Sequence, residues 1–420
     1  MMSILQISGG QPLRGSIRVQ GAKNSVLPLL AATLVCRGQT VLENCPALRD
    51  VEVTLQILTH LGCQVRRSGG TIAVDATQVQ RSDIPDDLMH EMRSSVIFLG
   101  AILTRTGQAE LSYPGGCELG PRPIDLHLKA LRTLGAEVLE QDGRIHCRAG
   151  KLTGCEIRFP FPSVGATENA ILSALGCRDQ VTIHGAAREP EIVDLQNLLR
   201  AMGAEVSGAG TEQIVIRGGK PLHPVTYTVI SDRIAATTWL AGAAATGGGV
   251  EVTGIHPAHI QAVLEVYEAA GCKIQRGGSA VFLQAPDRLK AVPPIRTAPY
   301  PAFPTDAQAP VMASFLRARG VTRFEETIFE NRYRHVAQLQ KLGAQIELDD
   351  RLAYVQGVSE LHGADLVSTD LRGGAALVLA ALSAEGESTV SGLNHIDRGY
   401  ESIETSITNL GGTIKRLDIS

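Results

Sequence analysis

The segment "LTHLGCQV" at residues 58–65 ends a helical pattern with a glycine, and a strand pattern begins directly afterwards. Five other segments have the same form: "LRTLGAEV" (131–138), "LRAMGAEV" (199–206), "YEAAGCKI" (267–274), "LQKLGAQI" (339–346) and "ITNLGGTI" (407–414). Successive glycines of these segments lie 68 to 73 residues apart, and we call them the marker glycines: Gly62, Gly135, Gly203, Gly271, Gly343 and Gly411. Six copies at so regular a spacing indicate an internal repeat.

An apolar helical pattern occurs once in each repeat, in step with the marker glycines. The six copies start with polar residues and end in a glycine: "GAKNSVLPLLAATLVCRG" (21–38), "MRSSVIFLGAILTRTG" (92–107), "VGATENAILSALG" (164–176), "SDRIAATTWLAGAAATG" (231–247), "PTDAQAPVMASFLRARG" (304–320) and "TDLRGGAALVLAALSAEG" (369–386). Because apolar side chains surround most of each helix, we expect all six to be buried. The final glycine suits a helix end, where a positive φ is needed.

The order of these elements predicts the fold class. β-branched stretches such as "QVTIHGA" (180–186) lie between the two helical patterns of a repeat, so each repeat is predicted to follow the order βαβαββ. We therefore predict an α/β (α+β) fold of six units, three in each of two domains. The predicted domains are 22–230, and 1–21 together with 231–420. We expect the first 21 or so residues, which contain the strand pattern "GSIRVQ" (15–20), to complete the last repeat of the second domain.

The composition is that of a globular chain and excludes several classes of partner. Apolar residues make up 44% of the 420 residues and the net charge is -4, so neither disorder nor nucleic-acid binding is indicated. The longest apolar run, 26–35, contains Pro28 and is too short to span a bilayer, so we expect no membrane partner. The eight cysteines form no CxxC pair, which favours reduced thiols in a cytoplasmic protein. No metal, ATP or dinucleotide motif occurs, so we predict no metal and no cofactor.

Polar residues concentrate at the N-terminal ends of the apolar helices. Lys23 and Asn24 begin the first helix, Arg93 the second, and Thr305 and Asp306 the fifth. Helix N-termini present free N–H groups and a partial positive charge, which attract anions. Three such helices pointing the same way in each domain would therefore provide a site for an anionic ligand.

Cys117 differs from the other cysteines because it follows two glycines in "YPGGCELG" (113–120). Glycines permit a mobile loop that can close over a ligand. A thiol can donate or accept a proton near neutral pH, and its thiolate can attack carbon. A buried, idle thiol is the alternative, and that interpretation suits the other seven cysteines better than Cys117.

Seven segments, spread over both predicted domains, resemble the UDP-N-acetylglucosamine enolpyruvyl transferase family. They are "GAKNSVLPLLAA" (21–32), "PGGCELGPRPIDLH" (114–127), "AAREPEIVD" (186–194), "RTAPYPAFPTDAQA" (296–309), "FENRYRHV" (329–336), "TDLRGGAALV" (369–378) and "HIDRGYE" (395–401). The resemblance implies a two-domain inside-out α/β barrel, a fold shared with enolpyruvylshikimate phosphate synthase. It also implies transfer of an enolpyruvyl group from phosphoenolpyruvate to the 3-hydroxyl of UDP-N-acetylglucosamine, the first committed step of peptidoglycan synthesis.

The resemblance also implies roles for individual residues. Cys117 would protonate phosphoenolpyruvate, form a covalent adduct with it, and react with the epoxide fosfomycin. The residues implied to bind phosphoenolpyruvate are Lys23, Asn24, Arg122 and Arg398, of which Lys23 and Arg398 would also serve catalysis. Asp306 would take the proton from the sugar hydroxyl, although an N-cap role is the alternative, with Thr305 as another candidate cap. Asp370 would either assist proton handling or only cap its helix.

The nucleotide sugar would contact a further set of residues. The resemblance implies that these are Asn24, Arg93, Arg122, Pro123, Ile124, Asp125, Leu126, Ser163, Val164, Gly165, Asp306 and Ile328. Phe161 stands where many relatives carry a basic side chain near the diphosphate, so backbone N–H groups at Ser163 to Gly165 would have to serve instead. Glu189, Glu191 and Arg332 would support the site from behind or hold structural networks.

Two alternatives to this function stay open at the level of the sequence. An enzyme like enolpyruvylshikimate phosphate synthase would share the fold and the phosphoenolpyruvate donor, but it does not explain the Gly-Gly-Cys loop. A paralogue that binds UDP-sugars without catalysis is the second, and the presence of Lys23, Cys117, Arg122, Asp306 and Arg398 argues against it.

Overall fold

Six small sheets correspond to the six sequence repeats in the computed structural model, which describes residues 2–114 and 123–419. The strands are β1 Met2–Ser8, β2 Arg14–Arg18, β3 Gln39–Glu43, β4 Gln64–Ser68, β5 Thr71–Asp75, β6 Gln108–Ser112, β7 Glu137–Gln141, β8 Arg144–Arg148, β9 Glu156–Arg158, β10 Gln180–His184, β11 Glu205–Ser207, β12 Gln213–Arg217, β13 Thr226–Thr228, β14 Gly249–Thr253, β15 Lys273–Arg276, β16 Ala280–Gln284, β17 Ile295–Arg296, β18 Val321–Glu325, β19 Gln345–Asp349, β20 Leu352–Gln356, β21 Asp365–Val367, β22 Glu387–Ser391 and β23 Thr413–Ile419.

The helices of the described residues fall between these strands. They are α1 Lys23–Ala32, α2 Arg49–His60, α3 Asp86–Glu91, α4 Phe98–Thr106, α5 Asp125–Thr133, α6 Val164–Ala174, α7 Pro190–Ala201, α8 Arg233–Thr246, α9 Gln261–Ala269, α10 Thr305–Ser314, α11 Val336–Lys341, α12 Leu371–Ser383, α13 Leu393–Ile396 and α14 Ile403–Asn409. Short 3₁₀ helices occur at Thr33–Val35, Arg93–Ile97 and Pro257–Ile260. No helix among the described residues is both long enough and apolar enough to cross a membrane.

The described chain forms two compact units with three sheets each. The first unit comprises residues 21–114 and 123–230, and its sheets have the strand orders β13-β3-β5-β4, β6-β8-β7 and β11-β12-β10-β9. The second unit comprises residues 2–20 and 231–419, and its sheets have the orders β15-β16-β14-β2, β17-β18-β20-β19 and β21-β22-β1-β23.

The third and fifth repeats show the predicted βαβαββ order without interruption. In the third repeat, β9 runs parallel to β10, and β12 runs antiparallel to β10 and β11. The fifth repeat has the same arrangement, with β17 parallel to β18 and the other pairs antiparallel. In the second repeat, a parallel bridge between Asp83 and Glu110 lies where the first strand would be. The repeat predicted from the marker glycines is therefore the structural unit.

The N-terminal segment completes two different sheets of the second unit. Strand β1 lies between β22 and β23 of the last repeat. Strand β2, which contains most of "GSIRVQ", instead runs parallel to β14, where Ile17 is opposite Val252. The N-terminal residues thus complete the last repeat through β1, whereas the strand within "GSIRVQ" joins the fourth repeat. The backbone carbonyl of Leu13 accepts a hydrogen bond from Gly249, which aligns β2 with the fourth repeat.

The marker glycines occupy the backbone conformation that their position predicts. All six have positive φ values, between 84° at Gly411 and 103° at Gly62. At Gly62 an added Cβ would also lie 2.7 Å from the backbone carbonyl oxygen of Gln78. Non-glycine side chains strongly disfavour this region, so these positions require glycine at each helix-to-strand turn.

The six predicted apolar helices form the centres of two cores. In the second unit, α8, α10 and α12 pack against one another, and every residue of α8 from Arg233 to Ala245 is buried. In the first unit, α4 packs against both α1 and α6. Because buried helices of one unit pack side by side, their N-terminal polar residues are brought near one another.

Candidate functional site

Lys23 is the first residue of α1 and is almost completely buried in the first unit. Its Nζ lies 2.7 Å from Oδ2 of Asp50, which belongs to the first turn of α2. Only 9% of Lys23 and 2% of Asp50 is exposed. Asn24, the next residue, is exposed. This ion pair holds the ammonium group of Lys23 at the start of α1.

Asp194 of α7 connects the start of α1 to residues 227–230, the last residues of the first unit. Ser25 Oγ and Tyr227 Oη each donate to the Asp194 carboxylate at 2.5 Å, and the backbone N–H of Ile230 donates at 3.3 Å. Burial raises the pKa of Asp194 above its ordinary value, although these three hydrogen bonds oppose the shift. The carboxylate thereby joins three separate segments beside Lys23.

Arg93 and Gly165, which the sequence assigned to one ligand, lie around the buried imidazole of His127. The ring is so close to α6 that a Cβ added at Gly165 would lie 2.9 Å from His127 Cε1. Burial, followed by the charge of Arg93, lowers the pKa of His127 to about 4, while Asp125 opposes the shift. His127 is therefore neutral near neutral pH.

Asn169 fixes the orientation of this neutral ring. Its Nδ2 lies 2.6 Å from His127 Nδ1 and donates to the Val96 carbonyl, while its Oδ1 accepts from the Gly100 N–H. Because Oδ1 is taken by an N–H donor, the amide nitrogen faces the ring and donates to Nδ1. The ring proton then belongs on Nε2, which faces the start of α6. Sequence reasoning missed His127, although it stands directly after the segment Pro123 to Leu126.

The remaining first-unit candidates lie at the starts of α5 and α6. Pro123 and Asp125 are exposed, Ile124 is buried and Leu126 is half-buried. Ser163 is the N-cap of α6, and its hydroxyl accepts a hydrogen bond from the Ala166 N–H at 3.4 Å. Val164 and Gly165 follow as the first helical residues, and Phe161 is exposed. The backbone N–H groups at this helix start are therefore in the position that anion binding requires.

A group of acidic side chains lies behind the start of α6. Glu168 is buried, and burial, followed by the charges of Glu191 and Glu189, raises its pKa well above the ordinary value. Glu189 precedes α7 and Glu191 lies in its first turn. Glu189 and Glu191, which the sequence analysis treats as supporting residues, therefore lie near Glu168, whose carboxyl group holds its proton more strongly than usual.

Cys117 and Arg122 lie outside the described residues. The other seven cysteines are free thiols, of which six are buried and Cys155 is half-buried, as the sequence predicted. Burial raises the pKa of each of these thiols, to about 12 for Cys45 and about 11 for Cys63. These seven thiols are consequently poor nucleophiles near neutral pH.

Asp306 is the second residue of α10 in the second unit. The N-cap is Pro304, which offers no side-chain hydrogen bond. Thr305, the sequence candidate for the cap, instead donates its hydroxyl to Glu326 Oε2 at 2.9 Å. That prediction for Thr305 is wrong because the carboxylate of Glu326 takes its hydroxyl. Glu326 Oε1 also accepts from the backbone N–H of Ile328, which is half-buried.

Two buried arginines hold the carboxylate of Asp306. Arg332 Nη2 lies 3.2 Å from Oδ1, and Arg372 Nη2 lies 3.4 Å from Oδ2. The side chains of Arg332 and Arg372 are 2% and 3% exposed, whereas that of Asp306 is 30% exposed. The carboxylate is thus oriented from behind and remains accessible in front.

Arg372 also links Asp306 to the other helices of this unit. Burial lowers its pKa, but Tyr400, Asp306 and Asp232 outweigh burial and raise the pKa above the ordinary value. Arg372 Nη1 donates to Tyr400 Oη at 3.3 Å, and that hydroxyl lies 2.8 Å from Thr238 Oγ1 of α8. The starts of α8, α10 and α12 therefore form one polar network.

Asp370 is the N-cap of α12, one of the two interpretations that the sequence left open. Its Oδ1 accepts hydrogen bonds from the N–H groups of Arg372 and Gly373 at 3.1 Å and 2.9 Å. Among the described residues, its buried Oδ2 has no hydrogen-bond partner. The neighbouring His335 is buried, and burial lowers its pKa to about 4 against the opposing charge of Asp370.

Arg398 follows the short helix α13 in the second unit and is half-buried. Its segment, 397–401, follows directly from the Leu393–Ile396 helix, and the backbone N–H of Tyr400 bonds to the Ile396 carbonyl at 3.2 Å. Within residues 2–114 and 123–419, no group of histidine, cysteine, aspartate and glutamate side chains is arranged to hold a metal ion.

The sequence pattern of a known family matches almost the whole chain. It is described as EPSP synthase (3-phosphoshikimate 1-carboxyvinyltransferase), and it matches residues 7–407. The chain belongs to this enolpyruvyl transferase family.

Two relatives align with this chain over 99–100% of their own length, and their names confirm the resemblance stated from the sequence segments. UDP-N-acetylglucosamine 1-carboxyvinyltransferase 2 of Caldanaerobacter subterraneus subsp. tengcongensis is 46% identical over 99% of this chain and 100% of its own length. UDP-N-acetylglucosamine 1-carboxyvinyltransferase of Dichelobacter nodosus is 44% identical over 99% of both chains.

Solved structures of enolpyruvyl transferases confirm the predicted fold class. The enolpyruvyl transferase NikO from Streptomyces tendae superposes with a TM-score of 0.89, with 27% identity and 99% of both chains covered. EPSP synthase from Acinetobacter baumannii superposes with a TM-score of 0.76, with 18% identity and 100% of both chains covered. The second likeness concerns the fold alone.

Proposed function

We propose that this chain transfers the enolpyruvyl group of phosphoenolpyruvate to the 3-hydroxyl of UDP-N-acetylglucosamine and releases phosphate. This reaction is the first committed step of peptidoglycan synthesis. The observation that carries the proposal is the full-length similarity, at 44% and 46% identity, to enzymes that bear the corresponding name. The similarity to EPSP synthases, at 18% and 19% identity, is much weaker.

The reaction proceeds by addition and elimination, so its atoms constrain the roles. A proton adds to the methylene carbon of phosphoenolpyruvate, and the sugar oxygen bonds to the neighbouring carbon as the hydroxyl proton leaves. The new methyl group then returns one proton while the carbon–oxygen bond to phosphate breaks. The enzyme must therefore supply an acid, a base and cations for a phosphate and a carboxylate.

We assign the base to Asp306, with Arg332 and Arg372 as its orienting partners. An ionised carboxylate that is exposed on one side can accept the proton of the sugar 3-hydroxyl. The two buried guanidiniums restrict its rotation, because each oxygen atom is held by a different arginine. Its exposed side agrees with a base that must reach a substrate, whereas a purely structural pair could be completely buried.

We assign the acid to Cys117 and the binding of phosphoenolpyruvate to Lys23, Asn24, Arg122 and Arg398. Phosphate and carboxylate groups are well matched by guanidinium and ammonium donors. The near-complete burial of Lys23 and its ion pair with Asp50 support a fixed cation rather than a solvated surface charge.

We assign the nucleotide sugar to Arg93, Pro123, Ile124, Asp125, Leu126, Ser163, Val164, Gly165 and Ile328, together with Asn24, Arg122 and Asp306. The position of Arg93 and Gly165 around one neutral imidazole supports a shared role for these two residues. Because Phe161 supplies no charge, the N–H groups after Ser163 are the donors available for a diphosphate at this helix start.

Phosphate release distinguishes this proposal from its two alternatives. We expect purified protein to release phosphate from phosphoenolpyruvate with UDP-N-acetylglucosamine and not with shikimate 3-phosphate. Asp306→Asn, measured beside the wild type, should reduce kcat by about two to four orders of magnitude, which is the usual contribution of a positioned base. Release only with shikimate 3-phosphate would favour a synthase of that pathway. Binding of UDP-N-acetylglucosamine without release would favour a non-catalytic paralogue.

We also propose that the protein acts in the cytoplasm on these two small molecules. The seven described cysteines form no disulfide bond, as expected in a reducing compartment. This holds even for Cys36, Cys45 and Cys63, which belong to the same unit. Fractionation of cells with an antibody to the chain tests this placement.

A further inference from the structure

Three of the six repeats carry an arginine five residues after the marker glycine. They are Arg67 after Gly62, Arg276 after Gly271 and Arg416 after Gly411. The three arginines lie on β4, β15 and β23, which follow the second helix of their respective repeats. Because the repeats share one architecture, the contacts of these arginines can be compared directly.

In two repeats the arginine joins its strand to the second helix of the same repeat. Arg276 forms a two-pronged pair with Glu268 of α9, with nitrogen–oxygen distances of 2.7 Å and 3.0 Å. Arg67 bonds to Glu52 of α2 and, at 3.0 Å, to the carbonyl of Pro46. In these two repeats, the arginine five residues after the marker glycine therefore has a structural role: it attaches the strand to the second helix.

Arg416 makes that contact and one more. Its Nε lies 2.8 Å from Glu404 Oε1, in α14 of its own repeat. Its two Nη atoms also lie 3.0 Å and 2.7 Å from the carboxylate oxygens of Asp397, which directly precedes Arg398. In the sixth repeat, therefore, the arginine at this position binds both the second helix of the repeat and the segment that contains Arg398.

The same segment is held on its other side by Gln20. The Gln20 amide donates from Nε2 to the carbonyl of Gly399 at 3.0 Å, and its Oε1 accepts from the Glu401 N–H at 3.2 Å. Tyr400, between these two residues, is buried and bonded to Arg372. Fixed contacts therefore flank Arg398 on both sides along the chain.

We infer that Arg416 is a positioning residue for Arg398: by binding Asp397 it fixes the backbone from which the Arg398 guanidinium extends. The inference rests on the proposed function, in which Arg398 binds phosphoenolpyruvate. A two-pronged arginine–carboxylate pair constrains direction as well as distance. Small displacements of a binding group are costly, because the guanidinium must meet the phosphate or carboxylate in a defined geometry.

The test compares Arg416→Ala with Arg276→Ala, which removes the equivalent pair from the fourth repeat. The side chains of Arg416 and Arg276 are 29% and 33% exposed, so the two changes are matched in burial. We expect Arg416→Ala to raise the KM for phosphoenolpyruvate about three- to thirtyfold, the range of effects seen for residues that do not touch the ligand. The KM for UDP-N-acetylglucosamine should stay unchanged, and Arg276→Ala should alter neither KM.

Two further variants show whether a negative result contradicts the role of Arg398 in the proposed function or only the role of Arg416. Arg398→Ala should raise the KM for phosphoenolpyruvate at least as much, and Arg398→Ala with Arg416→Ala should add nothing, because coupled residues are not additive. If Arg398→Ala leaves this KM unchanged, the role of Arg398 in the proposed function fails. If Arg398→Ala raises it and Arg416→Ala does not, only the present inference is overturned.

Asp397→Asn provides the same test if Arg416→Ala does not fold. It keeps the shape of the side chain and weakens the pair from the other end, so the KM for phosphoenolpyruvate should again rise selectively. Arg416→Lys should restore only part of the affinity, because lysine cannot form the two-pronged contact. If Asp397→Asn loses thermal stability but keeps the wild-type KM for phosphoenolpyruvate, Arg416 has only a structural role and the inference is wrong.

Discussion

The ammonium group of Lys23 and the carboxylate of Asp50 form an almost completely buried ion pair at 2.7 Å. It joins the first residue of α1 to the first turn of α2. Arg49, the residue before Asp50, forms a contrasting pair with Glu91 on the surface, where 56% and 41% of the two side chains is exposed.

Asp50→Asn should destabilise the protein strongly, because it removes a negative charge that lies 2.7 Å from the buried ammonium group of Lys23. We expect the free energy of unfolding to fall by about 3–5 kcal/mol. Glu91→Gln, which breaks the neighbouring surface pair, should cost less than about 1 kcal/mol. Urea denaturation of both variants gives the comparison. Equal losses would show that the Lys23–Asp50 pair behaves as a solvated one.

Gly165→Ala should disturb the imidazole of His127. The added Cβ would lie 2.9 Å from a ring that Asn169 holds in place, so the ring or α6 must move. We expect a loss of about 1–3 kcal/mol in stability and a higher KM for UDP-N-acetylglucosamine. Gly150→Ala is the control in the same unit, because a Cβ there would meet nothing within 4 Å. Normal stability of Gly165→Ala would mean that the ring is free to turn away.

The two buried histidines, His127 and His335, should each lower stability as the pH falls from about 6.5 to 4, whereas the raised pKa values of Glu168 and Asp194 act in the opposite direction. Burial lowers the pKa of His127 and of His335 to about 4, so in this window the unfolded chain binds protons that the folded protein excludes. Each histidine should cost about 2 kcal/mol between pH 6.5 and 5. Urea denaturation at both pH values measures the change, and His127→Asn should reduce its slope. A slope that is unaffected by this variant would place the pH dependence elsewhere.

Cys117 should be the thiol that an electrophile labels first. Burial raises the pKa of the other seven cysteines, so few of them are thiolates at pH 7.5. We expect iodoacetamide to add one group rapidly, at Cys117, and to abolish phosphate release. Peptide mass mapping at short times identifies the site. A first adduct on the half-buried Cys155 with full activity would contradict the assignment of Cys117.

Local signals account for what could be predicted of the fold. Each marker glycine sits at a turn that requires positive φ, and each apolar helix needs burial on nearly all sides, so sequence alone locates both. The partner of β2 could not be predicted, because strand pairing is decided by distant residues. Nothing within "GSIRVQ" distinguishes a partner at β14 from one at β22.

The candidate site shows the same division between local and distant information. The position of Asp306 at the start of a helix could be predicted, because polar residues directly before an apolar helical pattern mark a helix start. Its two arginines lie 26 and 66 residues further along the chain, and no local pattern selects Arg332 and Arg372 among the other arginines. His127 was missed because a buried histidine on an apolar helix face usually fills a core. Its role follows only from its contacts with Asn169 and Gly165.

The pairing of β1 with β22 and β23 has a consequence for folding during synthesis. Strand β13, at 226–228, supplies the last strand of the first unit, so that unit has all its strands once about half of the chain has left the ribosome. In contrast, β1 is translated first and must wait for Thr413–Ile419 before both of its neighbours exist. The closing of so long a loop is entropically costly and slow. The first strand to emerge is therefore among the last to be paired, and its backbone N–H and C=O groups stay without strand partners until then.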